Sequence, residues 1–466
     1  MRGTNYRWLL AALFAAGILR GFFLLWFFGD LQQDPDGYRQ IAENVANHGV
    51  YGQTFDVALQ PTAYRPPLYP LLISLFVTEG GETDRRDPGG TAAADLQLDL
   101  ASVALLHYWL SLLSVYFSFF LANRCGLFRF HAFAVAMVVA LDPIGIRQGS
   151  LVMTETLAVF FATAGLFLLR SFFTSACRPG GALVCGVFLG LCALCRPTFL
   201  IWGGLIFLLS FCLGLRNRSE ADRQRTRCSL VMLVGILLPL VPWIIRNQVV
   251  IGKPVFATSH GGYTIYLGNN DRFYDYLRAG KPGTWDGEKE LRETVLEIRK
   301  ASRRVVPAGA GQIDEVHKDR MYYDRAMETI RRRPVDFAIS CLTRVIRFWS
   351  IFPAAPASSE SSPTSGLLLR VGVISWYGVV FLLASIGLVR IFLYGRKNPD
   401  SLQRFLRGSL PAVLLVIAFQ GLHLVYWSNM RMRAPLVVVT ALLAVISWQK
   451  IGEWNSCSER TKEKGK

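Results

Sequence analysis

Residues 8–28 read WLLAALFAAGILRGFFLLWFF, an apolar run interrupted only by Arg20 and of the length that crosses a hydrocarbon core as one α-helix. Runs of the same character recur at 100–121, 130–141, 151–172, 182–195, 199–215, 230–245, 367–394, 410–427 and 436–448. With the first they give about ten candidate transmembrane helices, the shorter ones being re-entrant or buried in the bundle if they do not span. The fold class this implies is an all-α polytopic membrane protein. The first run follows Arg2 and Arg7, as in a signal peptide. It is long for one, and Leu24-Leu25-Trp26-Phe27-Phe28 lacks a small-residue cleavage site, so it reads as an uncleaved first helix.

Composition agrees. Hydrophobic residues make up 52% of the 466 and charged residues 18%, against roughly 45–50% and 25% in a soluble domain. The formal charge of +17 resides in Lys and Arg that flank apolar runs. They form no basic stripe interleaved with aromatics, so the partners implied are membrane lipids and not nucleic acid. Of nine cysteines only Cys341 lies in a large polar segment, and no extracellular disulfide framework is implied. Cys192 and Cys195 have the spacing of a metal half-site but sit inside an apolar run with no second pair. Gly186 and Gly190 have the spacing of a helix-packing pattern.

Orientation follows from the cytoplasmic bias of Lys and Arg in short loops. Arg124, Arg129, Arg178, Arg216, Arg218, Arg223, Arg225, Arg227, Arg396, Lys397, Arg404 and Arg407 fall on one side, joined by Lys462, Lys464 and Lys466. Both termini are then cytoplasmic, in a plasma (inner) membrane. The chain divides into an N-terminal transmembrane module (1–248) with a first outer loop (29–99), a second outer domain (249–366), C-terminal transmembrane helices (367–450) and a basic tail (451–466). In the first loop Asp34-Pro35 reads as an N-cap and first helical proline. Ile41, Ala42 and Val45 continue a short surface helix that Gly49 stops. Pro66-Pro67-Leu68-Tyr69-Pro70 breaks the chain before the apolar stretch 71–77 dips back toward the bilayer, and 82–90 is a linker. In the second, 314–333 reads as a helix ended by Pro334, 335–349 as an amphipathic helix and 353–365 as a linker.

Several charges lie where topology does not want them. Arg147, Arg196, Arg246, Arg431 and Arg433 occupy outer helix ends or short outer connections, and Arg65 lies in the first outer loop. Each alone reads as snorkelling to headgroups; six together favour an anionic ligand, which guanidinium binds in a bidentate manner. Acidic residues complete the set: Asp34, Asp36, and Glu155 in Met153-Thr154-Glu155-Thr156. By local pattern Asp34 is a helix cap or a general base, Asp36 a solvated first-turn acid or a catalytic one, and Glu155 a partner of Arg147 or Arg196 or a catalytic acid. The Asp-x-Asp spacing admits a divalent metal without requiring one. Of six histidines only His260, in Ser259-His260-Gly261-Gly262-Tyr263, lies where an outer site would use it. Neither a phosphate-cradling Gly-Lys loop nor a Gly-x-Ser-x-Gly elbow is present.

Taken in order, Asp34-Pro-Asp-Gly-Tyr38 with Ile41-Ala42, Tyr64-Arg-Pro-Pro-Leu-Tyr-Pro70, Thr154-Glu155-Thr156, Arg196-Pro197-Thr198, Pro242-Trp243 to Arg246-Asn247 and Arg431-Met-Arg433 form a recognisable series. The series resembles the GT-C superfamily of membrane glycosyltransferases, in the branch of protein O-mannosyltransferases and lipid A aminoarabinose transferases. The resemblance implies a GT-C fold with outer juxtamembrane helices and a mixed, mostly helical outer domain. It also implies a sugar donor on polyprenyl or dolichyl phosphate and a hydroxyl acceptor on lipid, glycan or protein. The family's catalytic carboxylate opens an Asp-x-x-x-Tyr pattern, matched by Asp34 and Tyr38. Its basic residue before proline contacts the donor phosphate, matched by Arg65, and Glu155 falls where a second acidic residue is placed. Aminoarabinose transferases typically have Lys preceded by Glu, a candidate metal ligand, where this chain has Tyr64 and Arg65, so no metal ligand is assigned.

The expected site therefore comprises Asp34, Asp36 and Glu155 as catalytic residues, and Arg65, Arg246, Arg431 and Arg433 as donor-phosphate ligands. Tyr38, Tyr64, Arg196, His260 and Asn269 are its pocket. A transporter or flippase of lipid-linked sugars is the rival class, expected to place polar groups near the bilayer midplane. A non-catalytic scaffold would tolerate change at the same positions. Neither the sugar nor the acceptor is encoded in any transferable pattern.

Overall fold

The computed structural model describes residues 6–55, 58–79, 96–174, 177–216, 219–280, 285–305, 311–353 and 363–449. Arg2, Arg218, the linker 82–90, residues 354–362 of the second linker and the basic tail lie outside these. In chain order, α1 (Arg7–Trp26) passes through a 3-10 turn (Phe28–Gln32) to α2 (Tyr38–His48), and a hairpin of β1 (Gly52–Phe55) and β2 (Ala58–Pro61) leads to α3 (Leu68–Ile73). An antiparallel pair, β3 (Val77–Glu79) with β4 (Leu96–Leu98), closes the first polar segment. There follow α4 (Leu100–Arg124), α5 (Arg129–Ala140), α6 (Pro143–Gly149), α7 (Glu155–Thr174), α8 (Pro179–Cys195), α9 (Thr198–Gly214) and α10 (Glu220–Val250). The second polar segment holds α11 (Gly261–Leu267), α12 (Asp271–Ala279), α13 (Gly287–Ala301), the pair β5 (Arg303–Val305) and β6 (Gly311–Ile313), α14 (Glu315–Arg332) and α15 (Pro334–Phe348). The chain returns through α16 (Pro363–Lys397), α17 (Pro399–Val425), a 3-10 turn (Met430–Leu436) and α18 (Val437–Ile446).

Among the described residues six helices, α1, α4, α7, α10, α16 and α17, are long and apolar enough to cross a bilayer. The pair α5 and α6, bent by 50°, makes a seventh if counted as one span, and α8 and α9 are apolar but shorter. The ten apolar runs of the sequence thus fall mainly on helices, and the difference from ten spans rests in the short ones. The bundle is apolar outside as well as inside. On α1, Leu10, Phe14, Ile18, Phe22 and Leu25 form an exposed stripe while Ala12 and Ala16 are buried. Such a stripe is solvated by lipid and not by water, and the protein is an integral membrane protein. Inside, Phe199 packs edge-on against Phe419, and the buried Trp202 donates its indole N–H to Pro411 O at 2.9 Å.

Small residues set the closest helix contact. A Cβ at Gly186 would lie 2.2 Å from the Met232 carbonyl oxygen, one at Gly190 2.4 Å from Pro239 Cγ, and one at Gly235 2.6 Å from Leu183 O. Glycine therefore lets the α8 and α10 backbones touch.

The start of α2 differs from the sequence reading. Pro35 is not its first residue; Asp34 to Gly37 form a turn, with Gly37 N donating to Asp34 O at 3.2 Å and Gly37 at φ 73°, and the helix begins at Tyr38. Proline suits the second position of such a turn as well as the first of a helix, and the left-handed Gly37 decides between them. Gly49, at φ 65°, stops the helix as expected.

In the second polar segment Asp314 caps α14 by accepting from His317 N at 2.9 Å, α14 ends at Arg332, and Pro334 opens α15. A separate small core of Ile265, Tyr266, Leu291, Ile298, Tyr322 and Ala326 holds α11, α13 and α14 together. This unit is tied to the bundle by the fully buried Arg344, which donates to Gly268 O at 2.6 Å and to Leu424 O at 2.8 Å. On α15 the inward face is Asp336, Ser340, Arg344 and Phe348, and the exposed face is Val335, Ile339, Leu342 and Ile346.

Candidate active site

The first polar segment, the start of α7, the break between α8 and α9 and the turn after α17 meet at one end of the bundle, each bringing charge. Asp36, in the turn before α2, accepts from Arg65 twice: Nη2 to Oδ1 at 2.9 Å and Nε to its backbone oxygen at 2.7 Å. Arg431, on the turn after α17, has Nη2 3.7 Å from Asp36 Oδ2 and Nε 3.6 Å from Glu155 Oε1. Arg196, extended between α8 and α9, donates to Glu155 Oε1 at 2.9 Å. The result is an alternating chain, Arg65, Asp36, Arg431, Glu155, Arg196, built from five places in the sequence.

Burial makes these charges consequential. The Glu155 side chain is 1% exposed, and its Oε2 has no hydrogen-bond partner among the described residues. An unpaired carboxylate oxygen away from water is costly unless a ligand meets it. Arg431, 30% exposed and tied to its carboxylates only by long contacts, is the most loosely held of the three cations.

Asp34 stands beside this chain. Its Oδ2 accepts from Gln40 N at 3.1 Å, so the carboxylate does reach the first turn of α2, from the opening position of the preceding turn. Its Oδ1 is buried with no partner among the described residues. Burial raises the Asp34 carboxyl above its ordinary value, and the N–H groups of Gln40, Arg39 and Tyr38 oppose that rise without cancelling it. Tyr38 is buried under the chain, its phenol pushed up to about 12 chiefly by burial, and it stacks edge-on against Tyr69 at 5.4 Å. The Tyr69 hydroxyl meets His107 Nε2 at 2.9 Å, a support that no motif marks. Arg65 lies over the rings of Tyr38 and Tyr64, at 5.5 and 4.9 Å. His260 meets the Tyr64 ring edge-on at 4.3 Å, and burial, with Arg65 and Lys318 nearby, holds its imidazole well below its usual range.

Three of the sequence-derived residues are occupied elsewhere. Arg246 spends Nη1 on Thr62 O and Nη2 on Tyr51 O, both at 2.7 Å, holding the first polar segment to α10. Arg433 is buried, donates to Phe348 O and Ser350 O at 2.6 Å and lies over Tyr377 at 4.4 Å. Asn269 is fully buried and bonds Ile265 O and Val425 O, a structural tie between the polar unit and α17. Arg147 pairs with Asp30 at 2.8 Å and leaves Glu155 to Arg196 and Arg431. Asp34 and Asp36 turn to different partners, and no group of three His, Cys, Asp or Glu side chains suited to a metal gathers among the described residues.

Comparison with known proteins bears on this end of the molecule. Residues 62–248, which carry Arg65, Glu155 and Arg196, match the family model described as dolichyl-phosphate-mannose-protein mannosyltransferase. The likeness of this stretch is to that mannosyltransferase family, over less than half of the chain. No curated protein sequence matches it. Among solved structures, the archaeal oligosaccharyltransferase AglB from Archaeoglobus fulgidus, in complex with an inhibitory peptide and a dolichol-phosphate, aligns over 95% of this chain and 50% of its own. That alignment has 14% identity and a TM-score of 0.49. ArnT from Cupriavidus metallidurans, bound to undecaprenyl phosphate, aligns over 95% and 78% with 14% identity and a TM-score of 0.38. The S. cerevisiae protein O-mannosyltransferase complex bound to the sugar donor aligns over 53% and 34%, with 18% identity and a TM-score of 0.40. The chain thus spans half the length of the archaeal enzyme and about a third of the yeast chain.

Proposed function

We propose that this protein transfers a sugar from a polyprenyl-phosphate donor to a hydroxyl acceptor at the non-cytoplasmic membrane surface, with inversion. The observation that carries the reading is the pairing of a loosely held, partly exposed Arg431 with a buried Glu155 whose second oxygen has no partner among the described residues, beside the equally unpartnered Oδ1 of Asp34. A lipid phosphate needs a mobile cation at the membrane edge, and sugar hydroxyls need carboxylate acceptors beside it.

In this mechanism Asp34 Oδ1 takes the proton of the acceptor hydroxyl as that oxygen attacks the anomeric carbon. The bond from this carbon to the phosphate oxygen breaks, and polyprenyl phosphate leaves with the electron pair. A carboxyl raised by burial is the better base of the two aspartates, because Asp36 is committed to Arg65. Arg431 turns from its long contacts to the leaving phosphate, with Arg65 beside it. Glu155 orients donor hydroxyls, and Arg196 holds it by an ion pair at 2.9 Å. Arg246 and Arg433 serve the architecture of the site.

The test is chemical and genetic. Cells lacking the protein should lose one sugar-bearing glycoconjugate by mass, restored by the wild type and not by Asp34→Asn, whose purified form still binds undecaprenyl phosphate. Restoration by Asp34→Asn would remove Asp34 from the mechanism. If vesicles carrying the protein move labelled donor across the bilayer and make no transfer product, the flippase reading replaces this one.

A further inference from the structure

Residues Thr62 to Pro66 carry Tyr64 and Arg65 into the site without belonging to a helix or a strand. Their backbone polar groups therefore need partners from elsewhere. Thr62 N donates to Tyr51 O at 3.0 Å, and Thr62 O accepts from Arg246 at 2.7 Å. Ala63 O accepts from Ser259 N at 3.0 Å, and the carbonyls of Arg65 and Pro66 share the Tyr51 hydroxyl at 3.0 and 3.2 Å.

The amides of Ala63 and Tyr64 depend on one distant carboxylate. Glu315, the first residue of α14 and 9% exposed, accepts from Ala63 N with Oε1 at 2.6 Å and from the Thr62 hydroxyl with Oε2 at 2.5 Å. The same hydroxyl oxygen accepts from Tyr64 N at 2.9 Å. An ionised carboxylate only accepts, so it fixes the hydroxyl proton toward α14 and leaves an oxygen lone pair for the Tyr64 amide. The chain of bonds ends one residue before Arg65. Burial raises the Glu315 carboxyl, while Thr62, Ala63 and Lys318 act to keep it ionised.

We infer that Glu315 is a positioning residue of the active site: through Ala63 and the Thr62 hydroxyl it sets the backbone that aims Arg65 at Asp36 and at the donor phosphate. Among the described residues its hydrogen bonds go to Thr62 and Ala63 and not to the alternating charge chain. The second polar segment, 252 residues away along the chain, is on this inference a wall of the site and not only its cover. The role of Arg65 in donor binding rests on the glycosyl-transfer reading above; the clamp itself does not.

Two measurements on the full chain in lipid nanodiscs separate these. Hydrogen exchange over residues 62–65 reads the clamp, and binding of undecaprenyl phosphate reads its consequence. Glu315→Ala should speed exchange and weaken binding, each by about tenfold, the scale of one hydrogen bond to a charged group. Glu315→Gln should fall between, because its oxygen serves Ala63 while its amide turns the Thr62 hydroxyl around. Thr62→Val should reproduce the loss at Tyr64, and the double variant should lose no more than Glu315→Ala alone. Glu293→Gln, on an exposed face of α13, should change neither. Unchanged exchange in Glu315→Ala overturns the clamp, and faster exchange with binding retained overturns the positioning role. If wild type binds no undecaprenyl phosphate, the transfer reading falls and exchange alone decides the clamp. If Glu315→Ala does not fold, Thr62→Val carries both measurements.

Discussion

The side chains of Arg196 and Glu155 are 15% and 1% exposed, and those of Arg147 and Asp30 are 42% and 30%. Both pairs join guanidinium to carboxylate at under 3 Å, so their worth differs through solvent and not through distance. Breaking the exposed pair with Asp30→Asn should cost less than about 1 kcal/mol. Glu155→Ala, by contrast, leaves a guanidinium without its carboxylate inside the protein and should lower stability by about 3 kcal/mol. Replacing both partners, Glu155→Ala with Arg196→Met, should recover most of that in thermal unfolding in detergent. A double variant no more stable than the single one would show that the pair's charge is not what is felt. Residue identity and order are enough to bring Asp34, Asp36, Arg65, Glu155, Arg196 and Arg431 to one end of the molecule. They are not enough for Arg246 and Arg433, whose guanidinium groups are spent on the carbonyls of Thr62, Tyr51, Phe348 and Ser350. Those partners lie far away in sequence, and an arginine held by carbonyls looks the same in a sequence as one waiting for phosphate. Glu315 carries no signal at all beyond its place at a helix start.

At the scale of elements, local patterns locate α14 and α15 because their caps and breaks, Asp314 and Pro334, are local. The start of α2 is ambiguous in sequence because Asp34-Pro35 fits both a helix start and a turn, and the left-handed Gly37, tight against Gln53, settles it from outside the local pattern. The contact of α8 with α10 makes a paired prediction. Gly186→Ala puts a methyl against the Met232 carbonyl and should destabilise by about 2 kcal/mol, while Gly204→Ala on α9, with nothing within 4 Å, should be near neutral. Equal melting temperatures for the two variants would contradict the close approach. The contact of α14 with α11 is sensitive to pH. Burial pushes the Asp319 carboxyl up to about 6 from an ordinary 3.8, against the lowering effect of the Gly262 N–H bond at 2.6 Å and of Lys318. The folded state therefore keeps a proton that the unfolded chain has already lost, and this group's contribution to stability falls as pH rises from about 4 to about 6. Asp319→Asn should gain on wild type in melting temperature as pH goes from 4 to 6, with the gap constant above about 7. A gap independent of pH across the whole range would rule out this carboxyl as its source.

For the whole molecule, the block length of apolar residues decides the class, and the exposed stripe of α1 agrees with it. The number of spans is less legible, because a short apolar run has the same composition whether it crosses, re-enters or packs inside. The bend between α5 and α6 is likewise a property of their neighbours. With 31 residues, α10 is roughly 46 Å long at about 1.5 Å per residue, carries Pro239 and Pro242 in its interior, and lies with its backbone against that of α8 at Gly186 and Gly190. Its far end holds Arg246, and through Arg246 the height of residues 51 and 62. Held at the α8 contact and at Arg246, the helix couples the height of the site to bilayer thickness: when acyl chains are too short or too long, lipid and helix must adjust to each other. Undecaprenyl phosphate binding measured in nanodiscs of graded acyl-chain length should pass through a maximum, and a flat response would mean that site and bilayer thickness are uncoupled. A membrane that thins or thickens would then regulate access to the site without any ligand or modification.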